Sequence, residues 1–375
     1  MSKLKLMTIL GTRSEVIRLS ECIKSCDKYF THILVHTGQN WDYNMNQIFF
    51  KDLGIREPDH YLAVTGDTTG QRIGNIIAKS YEVISRERPD AVLILGDTNT
   101  TLSAISAKRL NVPIFHLSAG NRCFDDYAPE EINRRIVDHV SDIHLAYTEH
   151  SRRNLLNEGI AADRIFVTGS PMAEILHNHM DEIEASDIHK RLELTAGKYF
   201  VASAHREDNI DNDKNFRSIM TSLNAVAEHY QIPIVYSTHP RSWQRIEQRG
   251  FIFHPLVNQL KPFGFFDYNK LQKDAYCVVS DSSTLAEESA ILGFPAVLMR
   301  TATARPEVFD TGNMVIGGIK DRDVCNAVEL TRAMLESGDK FRIPADFTDV
   351  NVSAKVVKII QSYTKIINKS IWETF

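Results

Sequence analysis

The stretch HLSAGNRCFDDYAPEEINRR, residues 116 to 135, sets a histidine, a cysteine, carboxylates and arginines within twenty positions of one another, straight after a strand-like run. Both signs of charge at that density suit proton transfer beside a charged ligand, and Ser118 sits early in a stretch otherwise stocked with ionisable groups. Other stretches share this character. In GTRSEVIR (11–18) a tight strand-to-helix turn carries Gly11, which lets backbone approach a ligand, and Arg13, with Arg18 one turn on, as clamps for an anion at a helix start. Asp97 in LGDTNTT (95–101) ends a strand and reads either as a helix cap or as an acid, base or hydroxyl-binding carboxylate. SAHREDN (203–209) puts His205 and Arg206 at a strand end, where an imidazole serves acid–base work, binds phosphate or is simply structural, and THPR (238–241) repeats the arrangement. In SDSSTLAEESAILG (280–293), Ser282, Ser283 and Thr284 open a helix whose N–H groups suit a diphosphate, with Glu287 and Glu288 one turn inside; RTATARPEVF (300–309) adds Arg305 and Glu307.

PEEINRRIVDHV reads as a helix, with Pro129 in its first turn and Glu130 and Glu131 complementing the dipole. Its spacing predicts Ile132, Ile136 and Val140 as the buried stripe, leaving Glu130/Arg134 and Glu131/Arg135 as i,i+4 pairs off it. Spacing alone does not say which pair faces a ligand.

The elements that must position these residues are legible as two series. KLKLMTILG, HILVHTG, AVLILGD, VPIFHLSAG, IHLAYT and RIFVTGSP are continuous apolar runs separated by helical stretches, the pattern of a parallel sheet covered on both faces. YFVASAHR, IPIVYSTHP, AYCVVSDS and FPAVLMR repeat it, and 375 residues suit two domains. We place these at residues 1–172, joined by a C-terminal helix at 353–375, and at 173–352. Two doubly wound, Rossmann-like α/β halves imply a ligand cleft at the carboxyl ends of their strands. Every motif above falls just after a strand.

Composition narrows the function. With 24% charged residues and a net charge of −5 there is no global basic field for nucleic acid or an anionic membrane, and no window approaches the roughly 20 apolar residues of a membrane span. MSKLKLMTILGTR is too short in its apolar part for a signal peptide, and five cysteines without a CxxC pair point to free thiols in a reducing cytoplasm. The sequence shows neither a metal-ligand cluster nor a GxGxxG or Walker loop, so no metal and no cofactor are expected.

Taken in order, GTRSEVIR, HTGQNWDYN, GDTNTT, AGNRCFD, PEEINRR, TGSP, SAHREDN, THPR, SDSSTLAEES and ARPE resemble the non-hydrolysing UDP-N-acetylglucosamine 2-epimerase family over nearly the whole chain. AGNRCFD and TGSPM look most like the branch acting on UDP-2-acetamido-2,6-dideoxy-L-hexoses in capsule and O-antigen synthesis. The resemblance implies a GT-B fold with the active site between its domains, a homodimer, a UDP-N-acetylhexosamine substrate, and no metal or nicotinamide. It implies a reaction in which C2 loses its proton as UDP leaves, giving a glycal, after which UDP adds back and the proton returns on the opposite face. By position it assigns Asp97, Glu130, Arg134 and His205 to catalysis and selects Glu130/Arg134 over the other pair. It assigns Arg13, Arg18, Arg122, Arg206, Ser282, Ser283, Thr284, Glu288 and Arg305 to substrate contacts and Tyr268 to uracil. Four positions depart from the family pattern: Ser14 stands for proline, Ser118 for the glutamate of H-x-E-A-G, Ser283 for the glycine of D-S-G and Ala304 for the glutamate of T-E-R-P-E. Ser118 thereby removes a carboxylate from the proton chemistry. A hydrolysing relative, a catalytically silent UDP-sugar binding protein and a GT-B glycosyltransferase are the competing readings.

Overall fold

The computed structural model describes residues 3–38 and 47–372. Residues 39–44 of the HTGQNWDYN motif lie outside the described residues. In the first series, β1 (Lys5–Leu10), β2 (Thr31–His36), β3 (His60–Tyr61), β4 (Ala91–Leu95), β5 (Ile114–Ala119), β6 (Ile143–Ala146) and β7 (Ile165–Val167) form a sheet of order β3-β2-β1-β4-β5-β6-β7. In the second, β8 (Phe200–Ser203), β9 (Ile234–Ser237), β10 (Val257–Leu260), β11 (Cys277–Ser280), β12 (Ala296–Leu298) and β13 (Val315–Ile316) have the order β10-β9-β8-β11-β12-β13. All pairings are parallel. Because helices cover both faces, strands such as AVLIL in β4 and IFHLSA in β5 are buried at every position instead of alternating.

Strand order reverses between β1 and β4 in the first sheet and between β8 and β11 in the second. Such switch points are where open α/β sheets bind ligands, because the following loops part there. The chain leaves β1 through Gly11 to Arg13, β4 through Gly96 and Asp97, β8 through Ala204 to Arg206, and β11 through Asp281 to Thr284. Gly11 is required by close approach: an added Cβ would run into the Thr37 and Thr100 hydroxyls.

The two compact units comprise residues 1–177 with 348–375, and residues 178–347, so each division lies five residues from its expected place. Helix Pro171–Asn178 explains the shift. Its Glu174 accepts from the N–H and hydroxyl of Ser353 at 2.7 and 2.6 Å, which fastens the start of helix Val352–Ile371 to the first unit, where it packs along helix Arg13–Tyr29. Among the described residues no helix is long and apolar enough to cross a membrane, and no group of three metal-ligating side chains forms.

Helix Pro129–Val140 sits the opposite way round from the pattern its isoleucines predict. Ile132 and Ile136 are 53% and 39% exposed and Val140 is half-buried, while Glu131, Asn133, Arg134, Val137 and Asp138 are buried. Val137, with Val140 beside it, packs into the apolar core of the first sheet, while Asn133, Arg134 and Asp138 reach over the ends of β4 and β5, where the stranded polar groups of those turns reward a polar face.

Gly120, just past β5, has a φ of +78° and no room for a side chain, since a Cβ would press into the Ser151 backbone and Leu155. A left-handed non-glycine residue costs about 1–2 kcal/mol and overpacking about 1–3 more. Gly120→Ala is therefore expected to lower the melting temperature by about 5 °C or more in a thermal unfolding scan.

Candidate active site

In the first unit the site is built on Arg134. Its Nε and Nη2 donate to Asp97 Oδ2 at 2.9 and 2.5 Å and its Nη1 to Glu131 Oε2 at 2.8 Å. Burial disfavours the guanidinium charge, but these carboxylates outweigh it and Arg134 stays cationic with a raised pKa. Asn133 pins the same loop, donating to the Asp97 carbonyl at 3.0 Å and to Asn99 Oδ1 at 3.1 Å. Glu131 is fully buried; burial pushes its pKa up, yet bonds from the Cys123 N–H and Arg134 win and hold it below the usual range. Asp97 keeps its side chain about one-third exposed, so a carboxylate fixed by arginine remains open at the end of β4.

Asp138, one turn after Arg134, organises the ground beneath this pair. Its Oδ1 faces His116 Nδ1 at 2.8 Å, and its Oδ2 accepts from the Gly120 N–H at 3.0 Å and pairs with Arg122 Nη1 at 2.8 Å. His116 Nε2 lies 2.8 Å from the Gly96 carbonyl, so both ring nitrogens face oxygens. Burial raises the Asp138 pKa, but the His116 bond and the charges of His116 and Arg122 overcome it and draw it down to about 2.

In the second unit a buried carboxylate, Asp281, again gathers the strand ends. It accepts from the N–H groups of His205 at 3.1 Å and Arg206 at 3.1 Å and from Asn209 Nδ2 at 3.1 Å, and it lies 3.4 Å from His205 Nδ1. That orients the His205 ring, which stacks on His239 with centroids 5.7 Å apart. Ser282, Ser283 and Thr284 are half-buried at the start of helix Thr284–Leu292. Glu288 accepts from Gln272 at 2.9 Å, Arg305 Nε is bonded to the buried Glu287 at 2.6 Å, and the Tyr268 hydroxyl donates to Ser203 at 3.2 Å.

Several expectations change. Arg134 is joined to Glu131 and Asp97, not to Glu130, which stands half-buried in the first helical turn. The Arg122 guanidinium is fully enclosed, with its donors directed to Asp138, Glu158 and the Asn121 carbonyl. Arg13 lies half-buried over the Phe49 ring and Arg18 is buried against Tyr147. Reading by motif passed over Glu131, Asp138, His116 and Asp281. Glu15 was the most legible omission, since T-x-x-E at Thr12–Glu15 is a capping-box signature, and that box is formed.

The UDP-N-acetylglucosamine 2-epimerase family model matches residues 24–361. A UDP-N-acetylglucosamine 2-epimerase from Rickettsia bellii has a solved structure that superposes with a TM-score of 0.91 at 43% identity, covering 99% of this chain and 100% of that one. The Methanocaldococcus jannaschii UDP-GlcNAc 2-epimerase, solved with UDP-GlcNAc and UDP, gives 0.90 at 30% identity over 96% and 99% of the two chains. The Pseudomonas aeruginosa UDP-2,3-diacetamido-2,3-dideoxy-D-glucuronate 2-epimerase is 35% identical over 335 residues, 86% of this chain and 91% of its own. The chain belongs to the UDP-N-acetylglucosamine 2-epimerase family. Its two parallel-sheet units are those of the GT-B fold.

Against the 2-epimerase pattern, three of the four departures are conformationally quiet. Ser14 is exposed, Ser283 has a φ of −69° that does not require glycine, and Ala304 is a buried residue whose carbonyl accepts from Arg305. Ser118 differs. It has a φ of +74° and lies where the β5–β6 register shifts, between Leu117 and Ala119.

Glu15 ties the ends of β1 and β4 together, accepting from the Gly11 and Thr12 N–H groups at 2.6 and 2.9 Å and from the Thr98 hydroxyl at 2.5 Å. Burial outweighs these bonds and pushes its pKa up to about 7 from 4.5. A raised folded-state pKa means a contribution to stability that is complete below the unfolded value and lost as pH rises through about 7. Wild-type melting temperature should thus fall between pH 5 and pH 8 by more than that of Glu15→Gln, which cannot ionise; parallel pH profiles for the two proteins would refute this.

Proposed function

We propose that this UDP-sugar 2-epimerase inverts C2 of a UDP-2-acetamido-2-deoxyhexose by eliminating UDP and adding it back. The observation that carries the reading is Asp97, bonded by Arg134 at the switch point of the first sheet, with about one-third of its side chain exposed. Asp97, Glu130 and His205 are the groups for proton transfer at C2. When the C2 proton is taken, the C1–O bond to UDP breaks and a C1–C2 double bond forms; return of UDP to C1 and of a proton to the opposite face of C2 gives the epimer. Arg206, Ser282, Ser283 and Thr284, with Arg13 and Arg18, are suited to the diphosphate, Glu288 to the ribose hydroxyls and Tyr268 to the uracil. Arg305, braced by Glu287, is a further ligand arginine.

The names of the relatives support a 2-acetamido sugar and differ in what C6 carries. The AGNRCFD segment favours a 6-deoxy-L-hexosamine and with it capsule or O-antigen precursor synthesis. A homodimer follows from the same resemblance, with sedimentation equilibrium as its check. A cytoplasmic location accords with five free cysteines.

Incubation with UDP-N-acetylhexosamines in heavy water, followed by NMR, tests the reading. Deuterium at C2 of both epimers with the UDP-sugar retained is expected; stoichiometric free UDP and sugar would make the protein a hydrolase, and binding without exchange would sink the enzyme reading. Asp97→Asn should reduce exchange about 10²- to 10⁴-fold, the usual weight of a general acid–base group.

A further inference from the structure

The loop after β8 carries His205 and Arg206 into a single helical turn, Glu207–Ile210, with the Ile210 N–H donating to the Arg206 carbonyl at 2.8 Å. One turn of helix does not hold itself together: its nucleation is unfavourable, and the backbone groups at its two ends have no internal partners. Here both ends are capped from elsewhere in the second unit. At the amino end Asp281 accepts from the His205 and Arg206 N–H groups, each at 3.1 Å. At the carboxyl end Arg249, the last residue of helix Pro240–Arg249, donates from Nη1 to the Ile210 carbonyl at 2.8 Å and from Nη2 to the Asp211 carbonyl at 3.2 Å.

The arginine is itself fixed. Its guanidinium carbon lies 4.3 Å from the centre of the buried Phe216 ring, and it pairs with Asp213. Arg245 and Arg241, one and two turns back along the same helix, approach the Asp211 carboxylate at 3.2 and 3.6 Å, and the Ser242 hydroxyl donates to the Ala204 carbonyl at 2.6 Å. Helix Pro240–Arg249 therefore holds the loop at Ala204 and again at Ile210 and Asp211, on either side of His205 and Arg206.

We propose that Arg249 is a positioning residue: by forking across two consecutive carbonyls it fixes the Glu207–Ile210 turn, and through that turn it sets where His205 and Arg206 stand at the end of β8. The functional consequence rests on the reading above, in which Arg206 meets the diphosphate. Lysine at 249 keeps the charge and reaches one carbonyl, but it has no planar fork to hold two. With the fork lost, the loop spends time in arrangements that misplace Arg206, and the apparent affinity for a diphosphate falls in proportion to the fraction still in place.

The test compares wild type, Arg249→Met and Arg249→Lys by amide hydrogen exchange of segment 204–212 and by NMR titration with UDP and with uridine, which lacks the diphosphate. In Arg249→Met the segment is expected to exchange faster while β8 and β9 keep their protection, and affinity for UDP is expected to fall about three- to tenfold with that for uridine unmoved; Arg249→Lys lies between. Unchanged exchange in the segment overturns the proposal. So does exchange that quickens equally across β8 and β9, or an equal loss of UDP and uridine, since either marks an arginine that only supports the fold. If Arg249→Met does not unfold cooperatively, Arg249→Lys decides, and wild-type exchange and affinity in that variant overturn the proposal. A wild type that binds UDP no more tightly than uridine removes the diphosphate reading and not the brace, which segment exchange reads directly; UDP binding without C2 deuterium exchange removes the epimerase and leaves the positioning role standing.

Discussion

A parallel strand that leaves its ladder strands backbone N–H groups at its carboxyl end, and in this fold those ends are also where the chemistry has to sit. Buried carboxylates resolve the conflict. Glu15 collects Gly11, Thr12 and Thr98 across β1 and β4; Asp138 collects His116, Gly120 and Arg122 around β5; Asp281 collects His205, Arg206 and Asn209 across β8 and β11. Burying a carboxylate is costly unless its lone pairs are filled, and here each is filled by donors that would otherwise be stranded themselves. Each interaction therefore removes several unsatisfied groups at once.

The Asp97–Arg134 pair depends on this arrangement at both ends. Asp97 follows Gly96, whose carbonyl is held by His116, and Arg134 lies one turn before Asp138, which holds the other nitrogen of the same ring. One imidazole thus spans the strand that carries the open carboxylate and the helix that carries its arginine. Because Asp138 is drawn down to about 2, this brace loses its contribution only when pH falls through that value, far from the range in which the buried Glu15 titrates.

The architecture was largely legible in the sequence, because continuous apolar strands leave little freedom once helices must cover both faces. Motif positions were legible too, since a doubly wound sheet places its functional loops after its strands. The face of helix Pro129–Val140 was not. Amphipathic reading assumes that apolar residues seek the interior, and the interior here is a set of strand ends whose polar groups seek Asp138, Arg134 and Asn133, so Ile132 and Ile136 are left outside. Spacing did not show the enclosure of Arg122 either. Its partner Glu158 is 36 residues away in sequence and no spacing rule connects them. Glu130 and Glu131 are neighbours of identical chemistry, and only the helix rotation separates the enclosed one from the half-buried one.

Ser118 and Asn121 form one hydrogen-bonded unit. A non-glycine residue in the left-handed region is tolerated best when its side chain is short and can bond locally. Serine meets that condition, with Asn121 as its partner and Ser151 behind it. The Asn121 amide meets Ser118 through both its carbonyl and its Oγ. The other departures impose no such coupling: Ser14 is exposed, Ser283 has an ordinary φ, and Ala304 engages Arg305 only through its carbonyl. Position 118 is thus the one of the four at which strand geometry, backbone conformation and a side-chain partner coincide.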